Sequence, residues 1–162
     1  MKRGNSYKGI GLVEVIISVS ILTIIMIGLI STFNYYVGAG TRSTEKIQGV
    51  LLAEETLEAL RYMRDSSWST IGDLATSTSY HLEFTGVLWK ASSTQIVIDG
   101  KFEQTFTLDD VYRKDSDDDI VPLSSSDAKT LDPDTLLITV SILTGGATTT
   151  EIVTYMTNLF QN

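Results

Sequence analysis

The chain of 162 residues contains no cysteine, which excludes disulfides, thiolate zinc sites, cysteine nucleophiles and iron–sulfur clusters. It has one histidine, His81, so a histidine-rich metal site is excluded and any Ser/His/Asp triad would depend on that residue. Basic residues are also scarce, with 12 against 20 acidic ones and a net charge of −8. Because phosphate binding needs clustered lysine and arginine, nucleic acid is not evident as a partner.

The charges are distributed unevenly along the chain. Residues 1–9 carry Lys2, Arg3 and Lys8 and no acid, so their charge is +3 and the remainder of the chain carries −11. No charged side chain occurs from residue 15 to residue 41. As a helix, residues 15–37 would extend roughly 34 Å, enough to cross a hydrocarbon core of about 30 Å. We therefore predict one membrane span, with the basic end in the cytoplasm and the acidic remainder outside.

A cleaved secretory signal is the main alternative for this apolar run. Such signals have an apolar region of about 7–15 residues followed by a small-x-small cleavage site. Here the run is longer, and the nearest stretch of small residues, 38–40, lies beyond a full span. The length of the run and the position of the small residues therefore favour a membrane span that stays in the mature protein over a cleaved signal.

Glu14 lies at the entrance of the apolar run. A carboxylate there is costly, which makes it a candidate functional residue with a partner to be found. The ordinary alternative is an interfacial glutamate whose side chain reaches water.

Residues 8–15 (KGIGLVEV) resemble the cleavage and methylation motif of type IV prepilins and type II secretion pseudopilins. In that family a short basic leader ends in glycine, an apolar residue follows, and a glutamate is fifth in the mature chain. Gly9, Ile10 and Glu14 match these positions, although phenylalanine or methionine is commoner than Ile10 and threonine is frequent in place of Gly11. The resemblance implies cleavage between Gly9 and Ile10 by a prepilin peptidase, followed by N-methylation of Ile10.

The resemblance also implies a role for Glu14 and a set of partners. Cleavage creates a positive amino group at Ile10, and in the family the glutamate pairs with the amino terminus of a neighbouring subunit in a staggered helix bundle. The implied partners are a prepilin peptidase/N-methyltransferase, other pilin-like subunits, an inner-membrane assembly platform, and membrane lipid before assembly.

Beyond residue 40 the helical pattern becomes amphipathic, with apolar residues at three- and four-residue steps. No proline precedes Pro122, so we predict one helix from about Leu12 to Met63, weakest at its glycines. Residues 51–61 also resemble the A-E-x-x-x-E-x-x-R pattern of minor pilins and pseudopilins.

After residue 66 the alternation is typical of strands. We predict a hairpin of residues 80–84 and 87–90, a strand from 102 to about 112, and a second hairpin of residues 135–143 and 148–159. The predicted fold is α+β and pilin-like: one long N-terminal helix packed on a small antiparallel sheet of about four strands. The predicted segments are a leader (1–9), a transmembrane or assembly half-helix (10–40), an amphipathic half-helix (41–65) and an extracytoplasmic β-rich domain (66–162).

Three further candidates have ordinary explanations. The acidic run Asp115–Asp119 has alternating carboxylates but lacks the glycine and distal glutamate of an EF-hand loop, so we predict a strand-connecting turn rather than a calcium site. Ser126 and Lys129 match Ser-x-x-Lys without companion motifs. His81 lies in a predicted strand, and we expect it at the surface or the rim of the core. No catalytic constellation, metal site or cofactor is predicted.

The sequence thus favours a non-enzymatic structural subunit: a minor pilin or pseudopilin of a type IV pilus, type II secretion or competence-type filament. Lack of cysteine excludes the disulfide-closed C-terminal loop common in the family, and Ser31 replaces a frequent proline, which together favour a minor subunit. One alternative is an uncleaved, single-pass membrane-anchored extracytoplasmic binding module. The other is a membrane-tethered hydrolase that uses Ser126, Lys129 and His81.

Overall fold

The computed structural model describes residues 11–159, which begin with one long helix, α1 (Leu12–Ser66). This confirms the predicted long N-terminal helix and extends it three residues past Met63. The chain divides into two compact units between Thr44 and Glu45. A short second helix, α2 (Ser69–Gly72), follows, and the Thr70 hydroxyl donates to the Met63 carbonyl at 2.8 Å.

Seven strands follow, in a two-stranded ribbon and a five-stranded antiparallel sheet. The ribbon consists of β1 (His81–Phe84) and β2 (Trp89–Ser92), which confirms the predicted first hairpin with a small shift. The sheet runs in the order β3–β4–β6–β7, with β5 beside β4. Its strands are β3 (Val97–Ile98), β4 (Phe102–Lys114), β5 (Ile120–Val121), β6 (Lys129–Thr144) and β7 (Ala147–Thr157).

The sheet differs from the predicted four strands in two respects. The strands β3 and β5 have two residues each, too few to produce an alternating pattern in the sequence. The strand β6 begins at Lys129, six residues before its predicted start at Thr135. The register between β4 and β6 shifts between Asp110 and Val111, and Pro133 falls in this irregular part, where a strand tolerates proline.

One face of the sheet packs on the residues of α1 from Glu45 onward, which confirms the α+β layout. The inward side chains of β4 and β6 alternate with outward ones, as the pleat of a strand requires. This apolar layer is buried. It includes Leu57, Leu60 and Met63 from α1, Phe102, Phe106 and Leu108 from β4, and Ile138, Val140 and Ile142 from β6.

Candidate functional site

Glu14 lies in the first turn of α1, where its backbone N–H donates to the Gly11 carbonyl at 3.0 Å. A negative side chain is favoured at this end of a helix by the helix dipole. The residue is exposed, and its carboxylate has no hydrogen-bond or ion-pair partner within residues 11–159. The carboxylate is therefore available to a partner. The predicted processing residues, Gly9 and Ile10, lie outside the described residues.

The N-terminal part of α1 is apolar on all sides. No residue from Gly11 to Thr44 is buried, and large side chains such as Leu22 and Ile24 are 62% and 70% exposed. The most apolar window of 18 residues has a mean hydropathy of 2.6 and no buried residue. The helix is long and apolar enough to cross a membrane. An apolar surface of this size needs a cover of lipid or protein.

The polar residues inside the apolar run have local hydrogen-bond partners. The hydroxyls of Ser18, Ser20 and Thr23 donate to the carbonyls four residues earlier, at 2.7, 2.8 and 2.8 Å. Such bonds satisfy a hydroxyl without water, which lowers its cost in an apolar environment. Tyr35 and Tyr36 lie near the other end of the apolar run, with their rings edge to face and the ring centroids 5.8 Å apart. Tyrosine is enriched where a membrane-spanning helix meets the interface between lipid and water.

A buried polar contact holds the sheet to α1. The Gln104 amide Nε2 on β4 donates to the Leu52 carbonyl at 3.1 Å and also to the Thr56 hydroxyl. The Thr56 hydroxyl in turn donates to the Leu52 carbonyl at 2.8 Å. Gln104 is not among the residues predicted from the sequence to have a role. It alternates in phase with Phe102 and Phe106, and that pattern indicates that its side chain faces the helix.

Two further contacts hold α1 close to the sheet. Lys101 Nζ lies 2.7 Å from Glu45 Oε1, so the residue just before β4 forms an ion pair with the helix. Gly49 allows β7 to approach, since a Cβ at this position would lie 2.7 Å from Thr150 Oγ1. The amphipathic part of α1 is thus fixed along the sheet by polar contacts as well as by its apolar stripe.

His81, which we expected at the surface or the rim of the core, is buried, with 7% exposure. Its Nδ1 lies 3.0 Å from the Gln104 carbonyl oxygen, and its Nε2 lies 3.8 Å from Glu103 Oε1. The burial results from the position of β1 beside β4, where Tyr80 also pairs with Phe106. The imidazole supplies a side-chain link between the ribbon and the sheet.

Residues 115–119 form the predicted turn, between β4 and β5. The carboxylates of the turn have separate neighbours: the Thr130 hydroxyl donates to Asp115 at 2.9 Å, and Lys114 Nζ lies 3.6 Å from Asp117. Arg113 donates to the backbone carbonyl of Asp118 at 2.9 Å. Within residues 11–159 no group of three or more histidine or acidic side chains is arranged to hold a metal ion.

The three residues of the hydrolase alternative are not brought together. Lys129 Nζ donates to backbone carbonyls of the preceding loop, including that of Ser125 at 2.6 Å. Lys129 pairs with Lys114 at one end of β4, whereas His81 contacts Gln104, ten positions away. At about 3.3 Å per residue this separates Lys129 from His81 by roughly 33 Å. Lys129 therefore positions a loop, and Ser126 has no nearby imidazole.

Arg113 and Asp132 form a partly buried ion pair between β4 and β6. Arg113 Nε lies 2.6 Å from Asp132 Oδ2. Partial burial acts to raise the pKa of the Asp132 carboxyl. Hydrogen bonds from Arg113, Thr135 and the Asp134 amide have the opposite and larger effect, so the pKa lies below its ordinary value. The pair lies beside the register shift of the two strands and stabilises the irregular start of β6.

Comparisons of the chain with protein-family models, with curated proteins and with solved structures give no match. What the chain does is therefore inferred from its own residues.

Proposed function

We propose that the chain is a structural subunit, a minor pilin or pseudopilin, of a type IV pilus, type II secretion or competence-type filament. The observation that carries this proposal is the composition of α1. Its N-terminal part is apolar and exposed on all sides, Glu14 is the only acid in that part, and the residues after Thr44 are attached to a sheet. A helix of this kind supports assembly through its N-terminal half, and the resemblance of residues 8–15 to prepilins supports processing.

Assembly and membrane insertion both follow from the exposed apolar surface. The subunit first inserts in lipid, with the +3 leader in the cytoplasm and the acidic domain outside, as the positive-inside rule favours. Cleavage after Gly9 leaves a positive amino group on Ile10, which is then methylated. Glu14 pairs with the amino terminus of a neighbouring subunit, because an unpaired carboxylate or ammonium in an apolar setting costs several kcal/mol.

The partners of this subunit follow from the same scheme. A prepilin peptidase/N-methyltransferase processes the leader, an inner-membrane platform drives assembly, and other pilin-like subunits surround α1. The subunit itself has a structural role, without catalysis or a cofactor.

Processing is tested by co-expressing the full chain with a type IV prepilin peptidase and determining the amino terminus by mass spectrometry. We expect a product that begins at a methylated Ile10, and the Gly9→Val variant should remain uncleaved. A wild-type product that still begins at Met1 contradicts the proposal and favours the uncleaved, membrane-anchored binding module.

Assembly is tested separately with Glu14→Gln in cells that carry a filament assembly machine. We expect this variant to insert and be cleaved like the wild type but to be absent from sheared filaments, because the charge that pairs with a neighbouring amino terminus is lost. The matched control is Glu151→Gln, which removes an exposed glutamate from β7 and should assemble normally. Normal recovery of Glu14→Gln in filaments would show that the carboxylate has no role in assembly.

A further inference from the structure

The ribbon of β1 and β2 ends in an exposed apolar turn. The side chains of Phe84, Val87 and Leu88 are 54%, 77% and 50% exposed. The Trp89 ring lies against that of Phe84, with the ring centroids 5.0 Å apart. No charged residue occurs from residue 84 to residue 89, and we call these six residues the ribbon tip. Large apolar side chains exposed together on one turn indicate a surface that a partner covers.

Internal hydrogen bonds close the ribbon tip. The Thr85 N–H and the Thr85 hydroxyl both donate to the Leu88 carbonyl at 3.0 Å, and the Leu88 N–H donates to the Thr85 hydroxyl at 3.2 Å. The charged residues on either side of the tip, Glu83 and Lys90, form an ion pair at 3.2 Å. Polar groups that already have partners are less costly to remove from water. The ribbon tip is therefore suited to an apolar surface.

The ribbon runs toward the end of the sheet that lies beside Glu45. Tyr80, just before β1, pairs antiparallel with Phe106 on β4. The next residue, His81, lies 3.0 Å from the β4 carbonyl oxygen two positions before Phe106. The strand β1 therefore runs toward the start of β4, where Lys101 forms its ion pair with Glu45. The ribbon tip lies at this end of the sheet-bearing unit.

The same end of the unit is joined to the apolar segment of α1. The sheet-bearing unit begins at Glu45, four residues after Thr41, the last residue of the uncharged run. Four residues extend at most about 14 Å, whatever their conformation. When α1 crosses a membrane, the Glu45 end of the unit is therefore held close to the lipid surface.

We propose that the ribbon tip inserts into the surface of the bilayer that α1 crosses, so that lipid covers Phe84, Val87 and Leu88. Aromatic side chains favour the interface between lipid and water, and interfacial segments bury their apolar side about 5–10 Å into the boundary between headgroups and acyl chains. A lipid surface needs no hydrogen-bonding complement, which matches an uncharged turn closed by its own hydrogen bonds. This second contact holds the sheet-bearing unit at the membrane.

The inference goes beyond the proposed function. It requires α1 to cross a membrane, but it requires neither cleavage after Gly9 nor pairing of Glu14 with another subunit. A subunit that leaves the membrane for a filament has to withdraw the ribbon tip from lipid as well as α1.

The two tryptophans of the chain make the contact measurable. Trp89 belongs to the ribbon tip, whereas Trp68 follows the end of α1 at Ser66, about 32 Å along the helix from Glu45. The variant Trp68→Phe retains only Trp89, and the matched control Trp89→Phe retains only Trp68. Each full chain is reconstituted in phosphatidylcholine vesicles, with or without phosphatidylcholine that carries a nitroxide near the headgroup end of an acyl chain.

We expect the nitroxide lipid to lower the fluorescence of Trp89 about twofold and to leave that of Trp68 unchanged, because only the ribbon tip enters the interface. Equal quenching of the two tryptophans, or no quenching of Trp89, overturns the proposal. Flotation of the vesicles separates this result from failure of the proposed function. A chain that floats with the vesicles without quenching of Trp89 refutes only the contact of the ribbon tip, whereas a chain that does not float contradicts the membrane span and both proposals.

A second test removes the apolar character of the ribbon tip in the chain that retains only Trp89. We expect Val87→Asp with Leu88→Asp to abolish the quenching while the chain still floats with the vesicles. The matched control, Leu123→Asp with Leu131→Asp, changes two exposed leucines beside the far end of β4 and should preserve the quenching. Unchanged quenching after the substitutions at Val87 and Leu88, or an equal loss in the control, overturns the proposal.

Discussion

At the scale of single residues, two buried polar side chains connect the sheet to α1. Gln104 donates from β4 to the Leu52 carbonyl and to the Thr56 hydroxyl. Both side chains are almost fully buried, at 7% and 0% exposure. Buried hydrogen bonds of this kind contribute about 0.5–1.5 kcal/mol each and also fix the rotation of the helix on the sheet.

The change Gln104→Met keeps the length of the side chain and removes its hydrogen bonds to the helix. We expect the free energy of unfolding to fall by about 1–2 kcal/mol. The measurement is urea unfolding of the purified chain in mild detergent, followed by the fluorescence of Trp68 and Trp89. Gln48→Met, at an exposed position of α1, is the matched control and should change stability by less than about 0.5 kcal/mol. An equally small effect at Gln104 would contradict the role of this contact.

A second prediction at this scale concerns the ion pair of Asp132 with Arg113. Because the pKa of the folded Asp132 carboxyl lies below its ordinary value of 3.8, the ionised form stabilises the fold. That contribution is present above about pH 4 and is lost as the pH falls through 3.8 toward the folded-state pKa. Urea titrations at several pH values should therefore show a smaller acid-dependent loss of stability for Asp132→Asn than for the wild type.

The control for this experiment is Asp110→Asn. Asp110 is exposed and makes no ion pair within residues 11–159. The free energy of unfolding of Asp110→Asn should change with pH in the same way as that of the wild type. If Asp132→Asn and the wild type lose stability equally on acidification, another carboxylate is responsible for the pH dependence.

At the scale of elements, the position of α1 depends on a close approach to β7. A Cβ at Gly49 would lie 2.7 Å from Thr150 Oγ1 and 3.5 Å from Thr150 Cβ. Thr150 Oγ1 is buried and has no hydrogen-bond partner within residues 11–159. From the sequence this glycine is expected only to weaken the helix, whereas in the structure it is a contact residue.

We predict that Gly49→Leu destabilises the sheet-bearing unit by about 1–3 kcal/mol, since the larger side chain forces α1 away from β7. The gain in helix propensity, about 0.8–1 kcal/mol for replacing glycine, is too small to offset this. Gly40→Leu is the matched control, because a Cβ there has no neighbour within 4 Å. Thermal unfolding followed by circular dichroism should show a lower transition temperature for Gly49→Leu alone. Equal transitions would show that β7 moves aside without cost.

At the scale of the whole molecule, apolar surface and charge are separated along the chain. One part of α1 has no buried residue and the highest hydropathy, whereas the buried core lies in the unit that begins at Glu45. The two parts therefore need different surroundings. The first is long and apolar enough to cross a membrane, whereas the second buries its own apolar core.

Replacing Ile24 and Ile25, at the centre of the apolar run, by lysine tests whether this part of α1 is covered by lipid. Each of Ile24→Lys and Ile25→Lys should cost about 2.5–3.5 kcal/mol for insertion. We expect the double variant to shift from the carbonate-resistant membrane fraction to the soluble fraction or to be degraded. The control, Ile47→Lys with Leu51→Lys, places the same charges on exposed residues outside the run and should remain in the membrane fraction. Unchanged membrane retention of the Ile24/Ile25 variant would contradict a lipid-covered segment.

The features that depend on near neighbours in the chain could be predicted from the sequence alone. The apolar run, the absence of proline before Pro122 and the alternation in β4, β6 and β7 were enough to predict one long helix packed on an antiparallel sheet. These features are local because helix and strand periodicity repeat within a few residues. Glu14 was likewise visible as a single charge at the entrance of a long apolar run.

The burial of particular polar residues and the starting point of β6 depend on how distant segments pack, so they became apparent only in the folded structure. His81 contacts a residue 23 positions away, and Gln104 reaches Thr56 across 48 positions. Such contacts depend on strand register, which the irregularity at Asp110 and Val111 shifts in a way that alternation does not reveal.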